Sequence, residues 1–99
     1  MLLHEFVSRL KKEDSILIDV RTEEERQEQG FIEESVWIPM TNFLEHFNSK
    51  GYSKSDNFMI FCFAGSRAKF VADILKDNGY HHVEYLEDNV HDLLNSFVK

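Results

Sequence analysis

The chain has 99 residues, 42% of them hydrophobic and 29% charged, and a formal net charge of −7 at pH 7. That length supports one compact domain over residues 1–99 with a single core and is too short for two. The negative charge argues against nucleic acid or an anionic membrane surface as a partner, and no apolar stretch approaches the roughly 20 residues a membrane helix needs.

Cys62 is the only cysteine, so no internal disulfide can form. The expectation is a reducing compartment, with the cytoplasm as the default. Met1-Leu2-Leu3-His4-Glu5-Phe6 has no basic segment leading into an apolar run, and no secretion signal is expected.

Leu3, Phe6, Val7 and Leu10 recur at helical spacing and predict an amphipathic helix over residues 2–12. Ser15-Ile16-Leu17-Ile18-Asp19-Val20 is an apolar run broken by one carboxylate, the pattern of a strand covered on both faces. Thr22 with Glu25 forms a capping-box pattern for the next helix, and Gly30 stops it. Val36-Trp37-Ile38 before Pro39 predicts a short strand with Trp37 in the core. Thr41 or Asn42 can then cap a helix carrying Phe43, Leu44 and Phe47. Residues 49–56 are the most loop-like stretch and a candidate rim for an active site.

Phe58 to Cys62 reads as a third strand and Phe63-Ala64-Gly65-Ser66 as the turn leaving it. Ala68, Val71, Ala72, Ile74 and Leu75 give helical spacing that ends at Asn78-Gly79. His82 to Leu86 is a fourth strand, and Val90 to Val98 a last helix capped by Asp88 or Asn89. Short apolar strands alternating with helices imply an α/β fold of three layers, a mostly parallel sheet of four to five strands between helices. Chemistry in such sheets gathers at the carboxyl ends of the strands, where Cys62 is expected.

A strand, then Cys62-Phe63-Ala64-Gly65-Ser66-Arg67, then a helix is a sequence with a physical purpose. Successive backbone N–H groups in a tight turn that enters a helix converge on one point and hold an anion. Gly65 permits the positive φ such a turn uses, Ser66 adds a hydroxyl donor, and Arg67 supplies a planar cation. Together they favour the thiolate of Cys62, a nucleophile at neutral pH. The bland alternative is a small buried hydrophobe ending a strand, a role that requires neither the glycine nor the arginine.

Three segments resemble the rhodanese family of sulfurtransferases: Leu17-Ile18-Asp19-Val20-Arg21 with Glu24 or Glu25 and Gly30 after it, Val36-Trp37-Ile38-Pro39, and Cys62 through Ala68. Asn78-Gly79-Tyr80 followed by Val83 and Leu86 extends the likeness, which covers about residues 10–98. The resemblance implies that Cys62 attacks the outer sulfur of a small anionic donor such as thiosulfate and becomes a persulfide. It then passes the sulfur to cyanide, a thiol or a partner protein. Phe63, Ala64, Gly65, Ser66 and Arg67 would hold the charge, with no cofactor and no metal. Asp19 and Arg21 would organise polar contacts beneath or beside the loop; the plainer reading of the two is a structural ion pair or an exposed edge.

Two rivals share the chemistry or the fold. A phosphatase or arsenate reductase is disfavoured because related phosphatase loops hold five residues between Cys and Arg, and this chain has four. A non-catalytic interaction module would use the acidic stretch from Glu23 to Glu34, whose charge also suggests that an anion site lies elsewhere. Phe31, Glu34-Ser35 and Asp88-Asn89 stand where the family usually has histidine, Gly-Ala and paired glycines. His81-His82 point to opposite faces of a strand, and His4, His46 and His91 lack ligand spacing.

Overall fold

The computed structural model describes residues 1–97. The elements follow in the order α1 (Leu3–Lys12), β1 (Ser15–Asp19), α2 (Glu23–Gln29), β2 (Val36–Trp37), α3 (Phe43–Ser49), β3 (Asn57–Phe61), α4 (Ser66–Asp77), β4 (Val83–Tyr85) and α5 (Val90–Asn95). The strands form one parallel sheet in the order β2-β1-β3-β4. The α/β architecture matches the sequence expectation, with four strands among the described residues.

Alternation along the central strands sorts the core into two halves. Ile18, Val20, Phe58, Ile60 and Cys62 pack with the apolar faces of α3 and α4. There Phe47 meets Phe43, Tyr52, Phe58 and Tyr80 at ring-centroid distances of 5.1–5.5 Å. Leu17, Met59 and Phe61 point the other way, against Phe6 of α1 and Val90 and Leu93 of α5. Four apolar residues of α4, Ala68, Val71, Ala72 and Leu75, are buried, whereas α2 buries none.

Several expectations are corrected. Trp37 is 36% exposed, because β2 is an edge strand and its indole Nε1 donates to the carbonyl of Arg21 at 2.8 Å. Residues 49–56 lead into the amino end of β3, the opposite end of a parallel sheet from Cys62, so they do not rim the cysteine loop. Cys62 follows β3 and does not belong to it. Asn42 holds the position before α3 without a side-chain cap, in a left-handed conformation at φ 57°. The last helix ends at Asn95, and Val98 lies outside the described residues.

Two of the family departures have local explanations. Asp88 accepts the Leu3 N–H at 2.7 Å and so ties the start of α1 to the turn after β4. Asn89 accepts the His91 N–H at 2.7 Å and caps α5. In both cases a side-chain oxygen takes a helix-start donor that a glycine could not satisfy.

Candidate active site

Cys62 lies at the carboxyl end of β3, where the chain turns into α4, and is 1% exposed. Its Sγ accepts the Gly65 N–H at 3.1 Å and the Ala68 N–H at 3.3 Å. Ala68 is the third residue of α4, so the sulfur takes the place of a capping oxygen for a helix whose cap position, Gly65, has no side chain. The first turn of α4 carries no acidic residue to oppose an anion. The N–H groups of Phe63, Ala64, Ser66 and Arg67 have no protein acceptor among the described residues.

Gly65 is required twice. Its φ of +102° is in the region that side chains disfavour, and a Cβ there would lie 2.9 Å from the Glu87 carbonyl oxygen. The segment after β4 therefore presses directly on the loop. Phe63 closes the same side: its carbonyl accepts the Val90 N–H at 2.9 Å, and its ring meets the His91 ring edge-on at 5.9 Å. Ala64 and Ser66 are exposed at the surface of the loop.

Arg67 does not hydrogen-bond to the sulfur. Both of its terminal nitrogens donate to the Glu25 carboxylate at 2.7 Å, a bidentate pair between α4 and α2. Glu25 also accepts the Thr22 N–H at 3.0 Å while its own N–H donates to Thr22 Oγ1 at 3.2 Å, completing the expected capping box, and the Thr22 hydroxyl donates to the same carboxylate at 3.2 Å. The Arg67 hydrogen bonds, ahead of the contribution from Thr22, lower the Glu25 pKa from 4.5 to about 2. Arg67 is pushed up in turn, first by its bonds to Glu25 and to a lesser degree by charge on Cys62 and Asp19. The acidic stretch thus borders the loop directly, against the expectation that the two would lie apart.

Asp19 and Arg21 are both fully buried, and they stand on the other face of the sheet from Cys62. Asp19 continues the alternation of Leu17, and the Arg21 guanidinium lies over the Phe61 ring at 5.5 Å to its centroid. The Asp19 carboxylate accepts Arg21 Nε at 3.0 Å and Nη2 at 2.9 Å, and Arg26 Nε at 3.2 Å. Arg21 further donates to Gln29 Oε1 at 3.2 Å and to the Gly30 carbonyl at 2.9 Å. The two form a buried ion pair whose contacts converge on α2, the helix that carries Glu25.

Arg26 projects from α2 between two aromatic rings, 4.8 Å from the centroids of Phe31 and Trp37. Phe31 is 60% exposed, so the departure from the family at this position creates an aromatic surface beside α2. Among the described residues, no three His, Cys, Asp or Glu side chains gather as a metal site would require, and no helix is long and apolar enough to cross a membrane. The sequence assigned no site role to the Ala68 N–H or the Glu25 carboxylate, although both residues lie in the segments that resemble the family. The signal for Ala68 was its place as third residue of the helix; for Glu25 it was the capping box together with its place after Arg21 in the segment that resembles the family.

The model of the rhodanese-like domain family matches residues 2–95. The chain belongs to that family. Among curated proteins, this rhodanese-like domain is similar to a tRNA sulfurtransferase of Haemophilus influenzae (strain PittGG), 29% identical over 82 residues. The match takes in 80% of this chain and only 16% of that protein's length. Among solved structures it is similar to a rhodanese-like domain protein from Staphylococcus aureus, with 28% identity and a TM-score of 0.78, covering 92% of this chain and 86% of that one. A protein from Staphylococcus saprophyticus superposes with a TM-score of 0.80 over 100% of this chain and 96% of its own, at 23% identity, a likeness of fold.

Proposed function

We propose that this rhodanese-like domain is a sulfurtransferase that carries a sulfane sulfur as a persulfide on Cys62. One observation carries the reading: Sγ receives two backbone N–H groups at the start of α4, in a loop whose other amides have no protein acceptor among the described residues. Such a cradle suits a sulfur that is negative before and after transfer. The persulfide adds a second sulfur about 2 Å beyond Sγ, within reach of the amides of the same turn. The similarity to a tRNA sulfurtransferase and membership of the rhodanese-like family support the same chemistry.

The thiolate of Cys62 attacks the outer sulfur of the donor and forms an S–S bond. The donor's own bond to that sulfur breaks, and its electron pair leaves with the departing group, sulfite when thiosulfate is the donor. A thiolate, cyanide or a partner protein's nucleophile then takes the outer sulfur and restores Cys62. The loop binds, orients and stabilises charge through the backbone N–H groups of Phe63, Ala64, Gly65, Ser66 and Arg67, while the Arg67 guanidinium is held by Glu25, and Asp19 and Arg21 lend support through α2.

Intact-protein mass spectrometry after exposure to thiosulfate or to a persulfide tests this. Wild type should gain one sulfur atom, removable by cyanide or excess thiol, and Cys62→Ser should gain none. Release of phosphate from an aryl phosphate without sulfur uptake from any donor would sink the reading in favour of a phosphatase.

A further inference from the structure

The only cation of the Cys62 loop is already occupied. Both terminal nitrogens of Arg67 are bound by Glu25. Glu25 is fastened to its own helix by Thr22, so it is not a loose side chain that an arriving anion displaces at little cost. Its Arg67 partner holds the carboxyl well below the ordinary carboxylate range, at about 2, so it carries its charge at neutral pH. Arg21 and Arg26 are both bound to Asp19, and Lys69 on α4 is paired with Asp73. On the outer side of α2, Glu23, Glu24 and Glu28 are exposed and have no ion pair among the described residues. The cradle thus offers N–H dipoles with little net positive charge, and beside it lies a negative helix surface.

A neutral cradle with an acidic border separates donors by charge. Thiosulfate brings two negative charges, whereas the persulfide of a zwitterionic thiol such as cysteine brings a net one. We propose that Glu25 is a specificity-determining residue that makes Cys62 take sulfur from singly charged persulfides in preference to doubly charged donors. The proposal rests on the reading of Cys62 as a sulfur carrier and names the donor class for that site. In the preferred step, the donor's terminal sulfur bonds to Sγ, its S–S bond breaks, and the inner sulfur departs as a thiolate with the electron pair. Charge and oxidation level balance without any further reactant.

The test is single-turnover loading of Cys62, followed by intact mass, with thiosulfate and with cysteine persulfide, in wild type and Glu25→Gln. Coulomb energy scales with donor charge. Removing one negative charge should therefore raise the second-order rate constant about tenfold for thiosulfate and about threefold for the persulfide, with the gap narrowing as salt is added. Glutamine keeps an oxygen for Thr22, and thermal melting checks that the variant is folded. In wild type alone, raising ionic strength should speed thiosulfate loading relative to persulfide loading, a comparison that requires no variant. Equal changes for the two donors, a fall for both, or slower thiosulfate loading in added salt would overturn the proposal and leave Glu25 as a positioning residue for Arg67. Failure of wild type to load from either donor would instead remove the sulfurtransferase reading itself.

Discussion

Two helices flank the Cys62 loop and are held in opposite ways. Helix α4 buries Ala68, Val71, Ala72 and Leu75 against the sheet, while α2 buries no residue and is attached through Asp19, Arg21, Arg26, Gln29 and the Glu25–Arg67 pair. Apolar burial is non-directional and insensitive to pH, so α4 fixes the sulfur's amide donors as rigidly as the core itself. Charged contacts are directional, screened by salt and dependent on protonation, so α2 sets the electrostatics of the site and is the part conditions can change. A polar hub, the Asp19 carboxylate with the Arg21 guanidinium, joins that helix to the sheet.

Breaking the hub is expected to have the largest effect. Asp19→Ala leaves the buried Arg21 guanidinium without its carboxylate and should cost about 3–5 kcal/mol, measured by denaturant unfolding. If the loss is under about 1 kcal/mol, α2 is held by something other than this network. Leu75→Ala, the matching cut in α4, should cost about 2–5 kcal/mol by cavity formation, with a loss that does not vary between pH 4 and 8 because no titrating group is involved.

Gly65→Ala probes the junction between the two. The added methyl meets the Glu87 carbonyl at 2.9 Å in a backbone region unfavourable to alanine. A cost of about 1–3 kcal/mol is expected, together with a sharp fall in sulfur loading because the Gly65 N–H no longer points at Sγ. Normal loading at reduced stability would mean that this amide is dispensable.

The smallest effect sharpens the contrast through pH. Glu25 is lowered from 4.5 to about 2 by Arg67 first and Thr22 after it. In the unfolded chain its carboxyl binds a proton at a higher pH than in the folded protein. The contribution of Glu25 is therefore complete above about pH 5 and is lost as pH falls toward about 2. For a partly exposed pair it should amount to about 1 kcal/mol. Glu25→Gln should flatten this part of the stability profile, and an unchanged acid limb would show that the pair contributes nothing to folding.

The amino-acid sequence by itself determined the order of elements, the parallel α/β architecture and the place of the cysteine. Each of these rests on local signals: apolar runs at Leu17–Val20 and Phe58–Phe61, helical periodicity in α1 and α4, the Thr22–Glu25 capping box and the glycine three residues after Cys62. Side-chain partners across elements leave no such trace. Glu25 and Arg67 are 42 residues apart, and each has a sufficient local explanation, one as a capping residue and the other as a cation at a helix start. That they meet was decided by the parallel sheet, which brings the starts of α2 and α4 to the same carboxyl edge. Tertiary packing likewise put Asp19 on the face away from Cys62, exposed Trp37 on an edge strand and sent residues 49–56 to the far end. Periodicity tells which residues share a face of one element, but the distance between two faces exists only after the chain has folded.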